Sequence, residues 1–232
     1  MFELRANNGN LVRALALCGI VGPVVFAIIV TIGGSIYEGY SHATQAISEL
    51  GGVEAEHGLL QEINFFIVGS MFILFALGLH LGIGNGRGSI VGPALVAVFG
   101  LSSGIGNGIF PCDSGCDAET WQGFMHNGTG PFEFLAGITG IFFISRRIKS
   151  DPEWNSFYQF SRIFCAACFG ALVLWIAVGR IADVESLNGV LQRLYVAVWF
   201  TWAMGMALKM LSVWRESPFG TRTGQGLLSS KA

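Results

Sequence analysis

Apolar residues run along this chain in six long stretches, and polar residues collect in the segments between them. A helix needs about 20 residues to cross the hydrocarbon core of a bilayer, and each stretch is that long or nearly so. The first covers about Ala14 to Ile36, the second Ile63 to Leu81 and the third Ile90 to Ile109. The fourth begins between Phe124 and Pro131 and ends near Ser145; the fifth covers about Phe160 to Ala182, and the sixth Val190 to Val213. The pattern predicts an all-α fold, a six-transmembrane-helix bundle forming one domain over residues 1–214. Residues 215–232, with Gly, Ser and Thr but little apolar content, read as a flexible cytoplasmic tail. The apolar core of the first stretch is too long for a signal-peptide h-region and no small-residue cleavage site follows it, so it reads as a retained helix.

Charge gives the bundle a direction. Arg5 and Arg13 precede the first span, Arg87 lies in the second loop, and Arg146, Arg147, Lys149 and Arg162 surround the fourth connection. Arg215, Arg222 and Lys231 follow the sixth span. The first loop (37–62) and the third (110–125) hold neither Lys nor Arg and carry acidic residues instead. Cytoplasmic loops of membrane proteins are enriched in Lys and Arg. Both termini are therefore expected in the cytoplasm of a multi-pass plasma-membrane protein, with the 37–62 and 110–125 loops outside.

Composition narrows the picture further. Charged residues make up 12% of the chain, against about 25% in soluble domains. The net charge of −2 gives no basis for nucleic-acid binding. Glycine is abundant, and Gly100, Gly104 and Gly108 recur every four residues in the third span. Such a stripe lets another helix approach the backbone closely, within the bundle or across a dimer.

The two acidic loops hold the candidate chemistry. Ser41 can cap a short helix that Gly51 ends, with Ala43, Ile47 and Leu50 on one side, and such a helix would lie flat at the membrane surface. Cys112 and Cys116, with Ser114 and Gly115 between them, are spaced for a disulfide on an oxidising side, the alternative being two ordinary thiols. Cys165 and Cys168 read as small packing residues inside a helix. If the fourth helix begins before Gly128, His126 and Glu133 share a face; if Pro131 marks its first turn, Thr129 becomes the capping candidate. Glu133 is the acidic residue well inside an apolar span, and such groups usually have a partner. Arg180 is the first candidate partner and Arg193 the second, in a structural or a functional ion pair. A bis-histidine haem site is set aside, because His80 and His126 fall near opposite faces.

The segments Tyr40-Ser41-His42, Ile47-Ser48-Glu49-Leu50-Gly51 and Phe110-Pro111-Cys112-Asp113, with His126 before the fourth helix, resemble the prokaryotic membrane family catalogued as domain of unknown function 998. The similarity runs over most of the chain, from the first span to the sixth. It implies a multi-helix integral membrane protein without an established reaction.

Three function classes fit these features. The first is non-catalytic: a lipid-binding or membrane-complex accessory protein, with membrane lipids and other membrane-protein subunits as partners and no cofactor. Its polar pocket at the extracytoplasmic face would draw on Ser41, Gln45, Ser48, Glu49, Asp113 and His126, with Glu133 and Arg180 closing the floor. The second is an outer-leaflet lipid hydrolase using His126 and Asp113 with Ser41 or Ser48 as nucleophile, or a metal held by His42, Asp113 and His126. No H-E-x-x-H or G-x-S-x-G spacing supports it. The third, a small-solute transporter, would want polar groups at mid-membrane. An impermeant thiol reagent is expected to label a cysteine placed at residue 55 in intact cells, and one at residue 228 only after permeabilisation. Labelling of residue 228 from outside would reverse the orientation.

Overall fold

The computed structural model describes residues 9–83, 90–178 and 187–215. They form six long helices: α1 Gly9–Ile36, α2 Gly58–Gly82, α3 Val91–Ile109, α4 Trp121–Ile148, α5 Tyr158–Val178 and α6 Asn188–Arg215. Short 3-10 turns occupy Ile47–Gly51, Ser114–Cys116 and Asn155–Phe157, and the described residues contain no strand. All but α4 are long and apolar enough to cross a membrane. Helix α4 has the length but is less apolar, carrying His126, Glu133, Arg146 and Arg147. The expected end of the fifth span at Ala182 and the tail after Arg215 lie outside the described residues.

Each helix packs on the next, and α6 packs back on α1, so the six close into a ring. Neighbours run antiparallel around α1. Gly9 at its start meets Trp214 at the end of α6, and Gly82 at the end of α2 meets Val12. Trp199 fills the middle of the ring. It stacks on Phe99 at 3.9 Å and meets Phe72 edge-on at 4.8 Å, geometries that aromatic quadrupoles favour. The outward faces are apolar too, with Ile28 and Ile32 on α1 and Phe169 and Ile176 on α5 exposed. That exterior suits a hydrocarbon surround, where helices satisfy their backbone groups internally.

The glycine stripe of α3 is used within the bundle. A Cβ at Gly69 of α2 would lie 2.5 Å from Gly100 O and 2.6 Å from the Gly104 Cα, so the two backbones touch. Gly108 faces Phe66 of the same helix. Within this contact, Leu101–Gly106 winds as a π-helical turn. Such turns widen the helix by one residue and often accompany functional sites. Here the turn is followed directly by Asn107, which is buried.

Two expectations need correction. Residues 41–50 do not form the helix that Ser41 was expected to cap: 42–44 are turns, and only Ile47–Gly51 is helical, as a 3-10 turn. The reason is competition from α6. An α-helix would bond Ile47 N–H to Ala43 O, but Val190 N–H takes Ala43 O at 3.0 Å and Gln192 Oε1 takes Ile47 N–H at 2.6 Å. Nor does the segment lie flat on a surface, since Ile47 and Leu50 are buried against Val30 and Phe65 while Ala43 is exposed. The second concerns α4, which starts at Trp121, just before the expected Phe124–Pro131 window, so the alternative with His126 and Glu133 on one face holds and the one with Pro131 in the first turn does not. Thr120 caps it, its hydroxyl accepting from Gly123 N–H at 3.2 Å, so Thr129 is not a cap.

The Gly69–Gly104 contact predicts that Gly104→Ala destabilises the protein by about 1–3 kcal/mol, the usual cost of overpacking. Gly170→Ala, where a Cβ meets nothing within 4 Å, should be neutral or gain up to about 1 kcal/mol from helix propensity. Thermal unfolding of both in detergent checks this, and equal melting of Gly104→Ala and the unsubstituted chain would remove the contact from the account.

Candidate functional site

Above the Trp199 plug the ring does not fill, and a cavity of about 240 Å³ remains. Its walls are mainly apolar, with the rings of Phe26, Phe65, Phe72, Phe99, Phe134, Trp175 and Phe200 contributing. Polar groups are Ser48, Ser103, Asn107, His126, Asn127, Glu133, Asn188 and Gln192. The Ile47–Gly51 turn forms part of its lining and is held in place by α6.

A chain of hydrogen bonds crosses the cavity wall between α3 and α4. Asn107 Nδ2 donates to Glu133 Oε2 at 3.1 Å, while Thr129 Oγ1 donates to Asn107 Oδ1 at 2.8 Å. Glu133 is thus bonded to a carboxamide. Arg180, its first expected partner, lies outside the described residues. Arg193, the second, is engaged elsewhere: it donates to Tyr40 Oη, to His42 Nδ1 and to the carbonyls of Gln45 and Gly189. That cluster clamps the first loop onto the start of α6. Burial and the Arg193 charge hold the His42 imidazole below its ordinary pKa, which keeps it an acceptor for the guanidinium.

The structure divides the expected site residues into two groups. Ser48, His126 and Glu133 line one cavity, the last two from the same face of α4 two turns apart. Ser41, Gln45, Glu49 and Asp113 do not line it. Ser41 N–H bonds Gln45 Oε1 at 2.8 Å, Gln45 Nε2 bonds Glu49 Oε2 at 3.0 Å, and Glu49 Oε1 caps Ala46 N–H at 2.7 Å. These three shape the loop. Asp113 is buried and engaged at the start of α4: one oxygen accepts from Glu119 N–H and Thr120 N–H at 2.8 and 2.7 Å, the other from Thr120 Oγ1 at 2.7 Å. His42, the third member of the weighed metal set, stands against Tyr40 and Arg193 instead.

Cys112 and Cys116 are paired at disulfide distance, with Cα atoms 4.8 Å apart. Cys116 Sγ borders the cavity 3.2 Å from Ser48 Oγ, and His126 Nδ1 lies 2.8 Å from Phe110 O. Val53 N–H donates to Cys112 O at 3.0 Å, joining the first loop to the third. So the Ser48–Gly51 and Phe110–Asp113 segments and His126 all meet at one end of the bundle. A family model described as "Protein of unknown function (DUF998)" matches residues 20–209. The chain belongs to the DUF998 family. No curated protein and no solved structure matches it.

Asn107, Gln192 and Asn188 are cavity residues that motif reasoning passed over. Asn107 stands within the glycine stripe, directly before Gly108, as a carboxamide in an apolar run, and the others lie in the first turns of α6. Each is a polar residue in or beside an otherwise apolar run, and that signal alone could have marked them. Cys168 is buried and Cys165 half-buried, its Sγ lying 3.6 Å from Ile138 O.

Asp113 yields a pH prediction. Hydrogen bonds from the Thr120 backbone and hydroxyl hold its carboxyl below the ordinary 3.8. A carboxylate whose folded pKa is depressed adds stability above its unfolded pKa and loses it as pH falls through the folded value. Stability should therefore drop below about pH 4. Asp113→Asn should melt lower at pH 7 and lose less between about pH 5 and pH 3; parallel melting profiles of the two proteins would refute a stabilising role for the carboxylate that holds Glu119 and Thr120.

Proposed function

We propose that this protein is a non-catalytic binder of a single-chain amphiphile, a multi-pass plasma-membrane protein whose cysteine end faces outward and whose termini are cytoplasmic. The observation that carries the reading is the cavity's two-part lining. Aromatic rings form one part and would hold an alkyl chain or small ring; Asn107, His126, Glu133 and Gln192 form the other and would hold a polar head. Pockets with apolar walls and a few convergent polar groups are the usual form of small-molecule sites.

Size restricts the ligand. At about 240 Å³ the space falls below the roughly 300–1,000 Å³ of drug-sized sites, so a whole two-chain lipid does not fit inside. An engineered apolar cavity of about 150 Å³ holds benzene. One chain segment with its attached head group is the matching occupant, the remainder lying between helices. Membrane lipids are the proposed partners, and the apolar exterior leaves room for other membrane-protein subunits. The proposed orientation rests on Arg146, Arg147, Lys149 and Arg162 gathering at the α4–α5 connection, while the 37–57 and 110–120 connections carry no Lys or Arg.

The hydrolase reading has less support. A base next to a serine nucleophile is normally oriented by a third group. Asp113 is committed to the α4 N-terminus, and His126 Nδ1 addresses a backbone carbonyl.

Gly130 gives a clean test, since it lines the cavity and a Cβ there meets only Phe134, at 3.9 Å. Gly130→Leu should fill the space without a clash. Native mass spectrometry of protein released from gentle detergent should show a bound amphiphile on the unsubstituted chain and at least about tenfold less on Gly130→Leu, a difference of about 1.4 kcal/mol. Both should melt at similar temperatures. Equal occupancy, or none in either protein, would contradict the proposal.

A further inference from the structure

The disulfide end of the cavity gathers a second group of side chains, which shares His126 with the polar lining. Cys112, Cys116 and His126 bring their sulfur and ring-nitrogen atoms within 4.8 Å of one another. The imidazole is already oriented. A carbonyl oxygen can only accept, so Nδ1 facing Phe110 O carries the proton and Nε2 keeps the lone pair. Metal-binding histidines are typically fixed by this kind of bond from the other ring nitrogen to a backbone carbonyl. The sulfurs differ in access: Cys112 is buried, while Cys116 is half-buried and borders the cavity. Ser48 Oγ, 3.2 Å from Cys116 Sγ, can donate to a thiolate there.

We propose that reduced Cys112 and Cys116, together with His126, bind Zn²⁺, so that the loop alternates between a disulfide and a metal site. The reduction consumes an external dithiol. Its thiolate attacks the more accessible Cys116 sulfur, Cys112 leaves as a thiolate and takes up a proton, and the dithiol's second thiol then displaces Cys116 and closes the external disulfide. Two electrons and two protons have passed to the protein. Zn²⁺ then displaces both thiol protons, and the two thiolates cancel its charge, which suits a partly enclosed position. Two sulfurs and one imidazole match zinc, whose d¹⁰ shell imposes no geometry of its own. Three protein ligands leave one position open, the arrangement of zinc sites that take water or a ligand. Cys116 and His126 both border the cavity, so that position faces it.

The experiment uses the full chain in detergent, reduced under anaerobic conditions and freed of reductant, alongside a sample purified oxidised. Each is given Zn²⁺ and desalted, and its metal content is measured; Co²⁺ uptake is followed in parallel by its sulfur charge-transfer absorption. The reduced protein should retain one zinc per chain and the oxidised protein none, with intact masses differing by two hydrogens before metal is added. His126→Ala and Cys116→Ser should each weaken retention by more than the roughly 10–100-fold that losing an outer partner of a ligand costs. Oxidised His126→Ala is melted as a folding control, and His126→Gln replaces it if it unfolds. Zinc should raise the melting temperature of the reduced unsubstituted chain alone. Equal zinc retention by the histidine variant, or none by the reduced unsubstituted chain, would overturn the site.

Discussion

The close approach of Gly69 to Gly100 and Gly104 sets the width of this bundle. Without hydrophobic drive between helices in a lipid surround, association rests on close packing, and small residues permit it. At this point α2 and α3 touch backbone to backbone, and α3 winds through a π-helical turn. Asn107 follows that turn and reaches Glu133 across the α3–α4 interface. The large rings of Trp199, Phe72 and Phe99 fill the ring of helices beside the glycines. The cavity is what remains towards the cysteine end, where α2 and α3 contribute Phe65, Val68, Ser103 and Asn107 to its wall.

The cysteine end is fastened from α6. Val190, Gln192 and Arg193 each take a backbone or side-chain partner in the 40–47 segment. Those bonds prevent a regular helix there and press Ile47 and Leu50 into the interior. The third loop is fastened differently, by the Asp113 carboxylate on Glu119 and the capping Thr120 just before α4 and by the Cys112–Cys116 pair. Negative charge at a helix N-terminus is favourable, so one buried carboxylate both satisfies donors and complements the dipole. Glu49 and Asp113 thus hold backbone of the two loops that surround the cavity.

The architecture was legible in the chain because apolar run length is a strong and local signal. Six long helices appear at the expected places, with their described boundaries moved by a few residues, and α4 was identified although Glu133 and its glycines lower its apolarity. The short helix at 41–50 was misread because its local pattern is sound, while the groups that break it sit some 145 positions away at Val190 and Gln192. The site was partly legible. His126 and Glu133 share a face because seven residues make nearly two helical turns. Ser41, Gln45, Glu49 and Asp113 attracted notice for their chemistry, yet their polar atoms bond one another and the backbone. Asn107 and Gln192 drew none, because a single carboxamide in an apolar run matches no motif.

In the function proposed above, the space above Trp199 holds an amphiphile. A high-resolution structure of the protein purified into lipid nanodiscs tests it most directly. The expected result is a continuous non-protein density that runs among Phe72, Phe134 and Phe200 and ends within hydrogen-bonding distance of Asn107, Glu133 or His126. A cavity holding only isolated waters, or one closed by the side chains themselves, would contradict it.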